Sequence, residues 1–339
     1  MERTPTGGPS SSPVGPPLKI VYIIGWCRNG STILGNVLGE VPGFFHTGEL
    51  HFLWKNAAGL GANHSCGCGQ PLTSCPLWSR IIPLGQPAGV SAETYARLVM
   101  RRQSRVRTRH TRRVLRQGLR TPGVRAHAAL MTQVYRGIAE RAGARVIVDT
   151  TKIPGEAALV EHMPGLTPWY VHLVRDPRAI AESWRERKQY CDPMPASRST
   201  AYWTSFNLAS AAVTRRHPER SMFLRYETFI ADPQRTIDRL LRWCGEDPAA
   251  NPVHGRTVDL HPNHTVTGNP DRFRSGVTVI RDTDDAWRAT LPARSRRTAE
   301  ALSWPLSHRY GYSGRERPPH PAAPARAATA QVTDEPQPR

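Results

Sequence analysis

The chain has 339 residues, 39% of them hydrophobic, which is enough for a globular core of one large or two small domains. Its net charge of +19 keeps a polyanionic partner in view, and its longest early apolar run is far too short to cross a bilayer. Lysine occurs only at 19, 55, 152 and 188, so 42 of the 46 basic residues are arginine, a skew that coding bias in a GC-rich genome also produces.

Residues 1–17 are rich in Pro, Gly and Ser and lack the apolar segment of a secretory signal. They read as the disordered leader of a cytoplasmic protein. The next stretch, Leu18–Leu38, is LKIVYIIGWCRNGSTILGNVL. Ile20, Val21, Ile23 and Ile24 predict a buried strand, and Ile33, Leu34, Val37 and Leu38 share one face of a following helix. The intervening loop, Gly25–Thr32, has the spacing of a GxxxxGK[ST] P-loop, but Ser31 stands in the lysine slot. At such a turn backbone N–H groups and the positive end of a helix dipole converge on one point. Gly30 lets the main chain come close to a ligand, Ser31 and Thr32 add hydroxyls, and Arg28 adds a forked cation. The geometry predicts phosphate binding, while the missing lysine argues against an ordinary ATP or GTP site.

His46-Thr-Gly-Glu49-Leu-His51 follows the first helix, where the chain is expected to return near this loop. Cys66, Cys68 and Cys75 then cluster in a glycine-rich stretch, with His64 two residues before them. Zinc is one reading, but standard sites use two well-separated cysteine pairs. A disulfide is disfavoured in a reducing compartment. Free thiols are therefore expected, and no metal is assigned. Cys27, Cys191 and Cys244 are singletons. Arg101–Arg125 is the densest basic stretch, RRQSRVRTRHTRRVLRQGLRTPGVR. It reads as a solvated helix face, and the absence of interleaved aromatics weakens a single-strand nucleic-acid reading.

Arg145–Asp149, RVIVD, predicts another strand and leads into Thr150-Thr151-Lys152. Trp169–Trp184, WYVHLVRDPRAIAESW, predicts a strand through Val171, Leu173 and Val174 with Arg175 at its C-terminal edge. Pro177 suits the first turn of the next helix, and Ser183 lies about two turns along it. Together Arg175 and Ser183 can grip a second phosphate. Ser221–Tyr226 is a fourth strand. Helices are expected near 92–118, 126–142, 178–190, 198–216 and 233–244. Strands alternating with helices imply an α/β fold of three layers, a central parallel sheet flanked by helices. Ligands in such sheets bind at the C-terminal strand edges, where both phosphate loops fall. Residues 313–339, rich in Pro, Ala and Arg, read as a disordered tail.

The two phosphate segments resemble the donor-binding pair of the sulfotransferases that use 3′-phosphoadenosine 5′-phosphosulfate (PAPS). In that family a K/R-x-G-[ST]-[ST] loop holds the 5′-phosphosulfate, here Arg28-Asn29-Gly30-Ser31-Thr32, with the cation two residues before the glycine. An R-D-P-R-x-x-x-x-S pattern holds the 3′-phosphate, here Arg175 to Ser183. Arg225-Tyr226-Glu227 with Asp232-Pro233, the Cys-Gly stretch, His264–Phe273 (HTVTGNPDRF) and Arg309–Tyr312 resemble further segments of bacterial members. The resemblance spans roughly residues 18–312.

It implies a P-loop-NTPase-like sulfotransferase fold, PAPS as donor with no metal required, and Tyr226 beside the adenine. Arg272, with Arg274 as a further candidate, would reach the donor phosphates. Sulfuryl transfer needs cations at the leaving phosphate and a base for the acceptor proton. Arg28 fits the first role. Lys152 resembles the lysine of a D-[ST]-[ST]-K segment, and unlike arginine it can donate a proton; its bland alternative is an ion pair with Glu156. Glu49 is the favoured base, with His46 and His51 as alternatives. The insertion at about 55–125, with Trp54, Trp78 and the basic helix, is expected to shape the acceptor pocket. The acceptor itself, a small molecule or a glycan, stays open. The rivals are a P-loop kinase or NTPase with Asp149 on Mg²⁺, and a basic nucleic-acid-binding protein, which explains the arginine run but neither loop.

Overall fold

The computed structural model describes residues 17–187 and 192–312. The expected leader and tail, Lys188, Cys191 and the last residues of the 178–190 helix thus lie outside the described residues, Pro17 excepted. Five strands form one parallel sheet in the order β2-β3-β1-β4-β5: β1 Leu18–Ile24, β2 Phe44–Gly48, β3 Val146–Lys152, β4 Leu166–Val174 and β5 Ser221–Arg225. The principal helices are α1 Ser31–Gly39, α2 Ala92–Gln103, α3 Thr111–Gln117, α4 Pro122–Ala142, α5 Pro154–Val160, α6 Pro177–Arg185, α7 Ala196–Thr214, α8 Tyr226–Ala231, α9 Pro233–Trp243 and α10 Ala293–Ser303.

The centre of the sheet follows from the period of a strand. Successive side chains of β1 point to opposite faces, and both faces are covered, so Ile20 through Ile24 are all fully buried. Ile20, Tyr22 and Ile24 face a core completed by Leu130, Val134, Tyr135 and Ile138 of α4 and by α5. Val21 and Ile23 face the other core, with Leu34, Val37 and Leu38 of α1 and Ile237, Leu240 and Leu241 of α9. The result is three layers, helix–sheet–helix. The start of α9 is fixed locally. Pro233 occupies its first turn and the Asp232 side chain accepts from the Arg235 amide. Its Ile237, Leu240 and Leu241 then fall on one face, each contributing about 1.5–3 kcal/mol on burial.

The sheet's register places the loops. Ile24 of β1 lies opposite Lys152 of β3 on one side and His172 of β4 on the other. The three strands therefore end together, delivering Gly25–Thr32, Lys152 and Arg175 to one sheet edge.

Several expectations change in detail. The fifth strand, β2, was not anticipated, and β4 starts earlier than Trp169. The helix expected over 92–118 breaks between α2 and α3, where Val106 turns inward and is fully buried. Its carbonyl lies so close to Gly155 that a Cβ there would overlap it. A two-stranded antiparallel ribbon, β6 Thr257–Leu260 with β7 Gly276–Val279, was also unforeseen. Trp54 and Trp78 are core residues: both are buried, their indole N–H groups donating to the carbonyls of Ile82 and His264. The Arg101–Arg125 segment likewise packs Val106, Thr111 and Val114 inward and contributes nothing to the cavity described below.

Candidate active site

A cavity of about 670 Å³ opens at the C-terminal edge of the sheet. The Gly25–Thr32 loop forms its floor. Gly30 takes a left-handed conformation, φ 87°, as the residue preceding α1. A Cβ there would overlap the Tyr226 ring, so only glycine lets this ring pack on the loop. Asn29 is turned inward. Its amide donates to Leu173 O at 2.8 Å and its oxygen accepts from the Ser31 amide, which ties the loop to β4. Arg28, Gly30, Ser31 and Thr32 line the cavity, and the Arg28 guanidinium lies over the Trp184 ring, 4.9 Å from its centroid.

The second segment, at Arg175–Ser183, meets the first directly. Arg175 donates through Nη1 to the Arg28 carbonyl at 2.7 Å, and its guanidinium lies 5.2 Å from the Tyr226 ring centroid. Ser183 and Trp184 reach the same cavity from α6. Asp176 caps that helix by accepting from the Arg178 amide and also pairs with the Arg178 guanidinium. The other two guanidinium nitrogens of Arg175, Nε and Nη2, donate to Asp284 at 2.6 and 2.5 Å. Burial alone would depress the Arg175 pKa, but the Asp284 hydrogen bonds and charge raise it, so the guanidinium stays charged.

Across the cavity, Lys152 Nζ donates to Glu49 Oε1 at 2.7 Å and to Thr150 O at 2.8 Å. Both Lys152 and Glu49 line the cavity. The alternative ion pair between Lys152 and Glu156 is not formed: Glu156 is held by His51 at 2.6 Å and lies 3.5 Å from His127. Burial pushes the Glu156 pKa up, but the two histidines outweigh it and bring it down to about 2. His51 is thereby committed to Glu156. His46 is buried, its Nε2 3.2 Å from Thr150 Oγ1, and burial followed by the Lys152 charge lowers it to about 3. Of the three candidate bases only Glu49 faces the cavity.

The family model described as sulfotransferase family matches residues 83–249. The chain belongs to the sulfotransferase family. Among solved structures it is similar to the sulfotransferase domain of the Synechococcus PCC 7002 olefin synthase, at 22% identity and a TM-score of 0.47, over 85% of this chain and 96% of that one. The sulfotransferase domain from the curacin biosynthetic pathway matches at 19% identity and a TM-score of 0.45, over 85% and 98% of the two chains. Sulfotransferase STF9 from Mycobacterium avium matches at 13% and 0.38, over 71% and 67%. No curated protein matches the chain.

Set in this sulfotransferase, the expected site residues divide. Arg28, Gly30, Ser31, Thr32, Glu49, Lys152, Arg175, Ser183 and Tyr226 share the cavity. Asn29, whose side chain is turned to β4, does not line it, and neither does Arg272. Arg272 is buried, donates to the carbonyls of Thr265 and Ser65 at 3.0 and 2.8 Å, and stacks on Phe273. Its donors brace the loop on which it sits, so it is not positioned to hold a donor phosphate. Arg281 supplies a cavity cation instead. Asp149 is equally unsuited to the Mg²⁺ role of a kinase. Its carboxylate is buried against Tyr135 Oη at 2.6 Å and the Thr151 amide at 2.8 Å, and burial raises it to about 6. Sequence reasoning missed Asp284 and Arg281, neither of which belongs to a pattern of fixed spacing around the two loops. The stretch Thr267–Asp271, part of the HTVTGNPDRF segment singled out in the sequence, does line the cavity, although the Arg272 it was expected to present there does not.

Proposed function

We propose that this sulfotransferase transfers a sulfuryl group from PAPS to a hydroxyl of its acceptor by in-line displacement. The observation that carries the reading is the convergence of two phosphate-type loops and one carboxylate–ammonium pair on a single cavity. The residues suit such a donor. Backbone amides at the start of α1, with Arg28, Ser31 and Thr32, offer a cradle for a phosphosulfate. Arg175 and Ser183 offer a second anion site, and the Tyr226 ring beside Arg175 gives a flat face for a base.

In this reading Glu49 accepts the proton of the acceptor hydroxyl as its oxygen bonds to sulfur. The S–O bond to the 5′-phosphate breaks, and its electron pair stays on that phosphate. Arg28 and Lys152 stand where this charge accumulates, which lowers the barrier electrostatically. The acceptor enters from the side of Phe52, Lys55 and Asn63, which line the cavity beyond Glu49. An acceptor of modest size with an apolar part and a hydroxyl, a small molecule or a glycan, fits this wall. Nucleic acid is disfavoured, because the arginine-rich segment packs away from the cavity. Among the described residues no helix is long and apolar enough to cross a membrane.

Calorimetric titration with 3′-phosphoadenosine 5′-phosphate, with ATP as control, tests the reading. The expected result is saturable one-site binding, tighter than that of ATP by at least about tenfold, or about 1.4 kcal/mol. Indifference to the bisphosphate would remove the donor assignment.

A further inference from the structure

The cysteine cluster of the sequence acquires a fourth member in space. Cys66 and Cys75 are buried, Cys68 and His264 are half-buried, and one side-chain N or S atom from each lies within 4.8 Å of all the others. The Cys75 sulfur is 3.6 Å from that of Cys66 and 4.0 Å from that of Cys68. His264 Nδ1 lies 3.3 Å from the Cys75 sulfur and 3.6 Å from the Cys66 sulfur. His64, the partner suggested by sequence proximity, turns away, its Nδ1 3.2 Å from Asn56 O.

These separations match the edges of a coordination tetrahedron. Around Zn²⁺, bonds of about 2.3 Å to sulfur and about 2.0 Å to nitrogen set S···S and S···N distances of about 3.5–3.8 Å. A disulfide would bring two sulfurs to about 2.05 Å, well inside anything seen here. We propose that Cys66, Cys68, Cys75 and His264 bind one Zn²⁺ in a closed, four-ligand structural site.

A second observation supports the site independently. Arg272 is 2% exposed, and among the described residues its guanidinium hydrogen-bonds only to two carbonyls, those of Ser65 and Thr265, the chain neighbours of Cys66 and His264. Among the described residues no carboxylate forms an ion pair with it; the Glu49 charge acts on it from a distance, and the Cys66 and Cys68 side chains lie near it. A buried cation without a paired counter-charge is costly. A Zn²⁺ held by three thiolates and a neutral imidazole carries one net negative charge beside it.

The site joins two loops distant in sequence. The Cys-Gly loop supplies three ligands, and the segment after β6 supplies His264. That segment continues as Thr267–Asp271, a wall of the active-site cavity. The Glu49 amide donates to Thr267 O at 3.1 Å, and Val266 donates to Thr47 O at 2.8 Å. Zinc would therefore hold the wall that carries Glu49's backbone contact, at a distance from the chemistry. The spacing hid the site, because its Cys-x-Cys pair is tighter than usual and its histidine lies 189 residues from Cys75.

Elemental analysis of the full chain, purified without chelators, tests the proposal. One zinc per chain is expected, falling below about a tenth in Cys68→Ser and His264→Ala, with His64→Ala unchanged. Titration of the metal-stripped wild-type chain with Co²⁺ provides a readout that needs no variant to fold. Intense visible bands of a tetrahedral thiolate-rich centre, displaced by Zn²⁺, support the site. A metal-free protein whose three thiols react freely and which gives no such bands overturns it. So does a peptide map showing a disulfide between Cys66 and Cys75, or zinc retained in full by His264→Ala.

Discussion

Arg28 and Lys152 are the two non-glycine residues, among those described, with left-handed backbones, φ 72° and 70°. Such a conformation costs on the order of 1–3 kcal/mol and persists where the surroundings fix it. Here the fixing contacts are visible. The Arg28 carbonyl is held by Arg175, and the Lys152 ammonium by Glu49 and Thr150. Both side chains are thereby aimed into the cavity. Arg28 was legible because a short loop motif encodes a backbone shape along with its side chains. Lys152 was legible as a rare lysine at a strand end, though its partner was not. A sequence records that a charge exists but not which opposite charge it meets, which is also why Arg272 was misplaced. Glu49, paired to Lys152, is the residue whose role is sharpest to test. Glu49→Gln keeps the size and a hydrogen-bond acceptor for Lys152 but cannot take a proton. Its turnover is expected to fall by roughly 10²–10⁴-fold, with the calorimetric affinity for 3′-phosphoadenosine 5′-phosphate within about threefold of wild type. Turnover near the wild-type rate with that affinity intact would exclude Glu49 as the base.

At the scale of elements, the strands with continuous apolar runs were legible, and those whose burial is conferred by neighbours were not. β2, FFHTG, is five residues long and contains a histidine and a glycine. Its place beside β3 is set by tertiary contacts rather than by its own pattern. The β6–β7 ribbon is shorter still, with four residues a strand. That ribbon leads into the loop bearing Asp284, whose carboxylate occupies two donors of Arg175 much as a phosphate would. An anion that binds Arg175 competes with it for those donors. In Asp284→Asn the competing charge is gone while the side chain keeps its size. The variant is expected to bind 3′-phosphoadenosine 5′-phosphate on the order of tenfold more tightly, about 1.4 kcal/mol, and to melt at lower temperature without ligand because a buried guanidinium loses its partner. Calorimetry and thermal denaturation with and without the bisphosphate read both effects. Weaker binding by the variant would mean that Asp284 assists the ligand rather than competing with it.

Taken whole, the three-layer architecture was legible because alternation of strand and helix constrains topology strongly, and a sheet covered on both faces leaves long apolar runs in the sequence. The same double burial has a cost that composition did not disclose: titratable groups are enclosed between the layers. His172 on β4 is 3% exposed, its Nε2 2.9 Å from Asn207 Oδ1, with Phe223 and Tyr310 against its ring. Burial, only partly offset by the Asn207 bond, lowers its pKa from 6.5 to about 4. The folded chain therefore keeps His172 neutral where the unfolded chain protonates it. Between those two values the unfolded state binds more protons, so stability falls as pH drops from 6.5 towards 4. At about 1.4 kcal/mol per pH unit, His172 alone removes about 3 kcal/mol across that window. His46, lowered to about 3, acts in the same direction, whereas Asp149, raised to about 6, opposes it, since the folded state holds its proton longer. Those two groups are common to wild type and a His172→Gln variant, so the difference between their unfolding curves isolates His172. Denaturant unfolding at pH 6.5 and at pH 4 should show wild type losing about 3 kcal/mol more than the variant. Parallel losses would mean that His172 carries its proton inside the fold, with Asn207 accepting it.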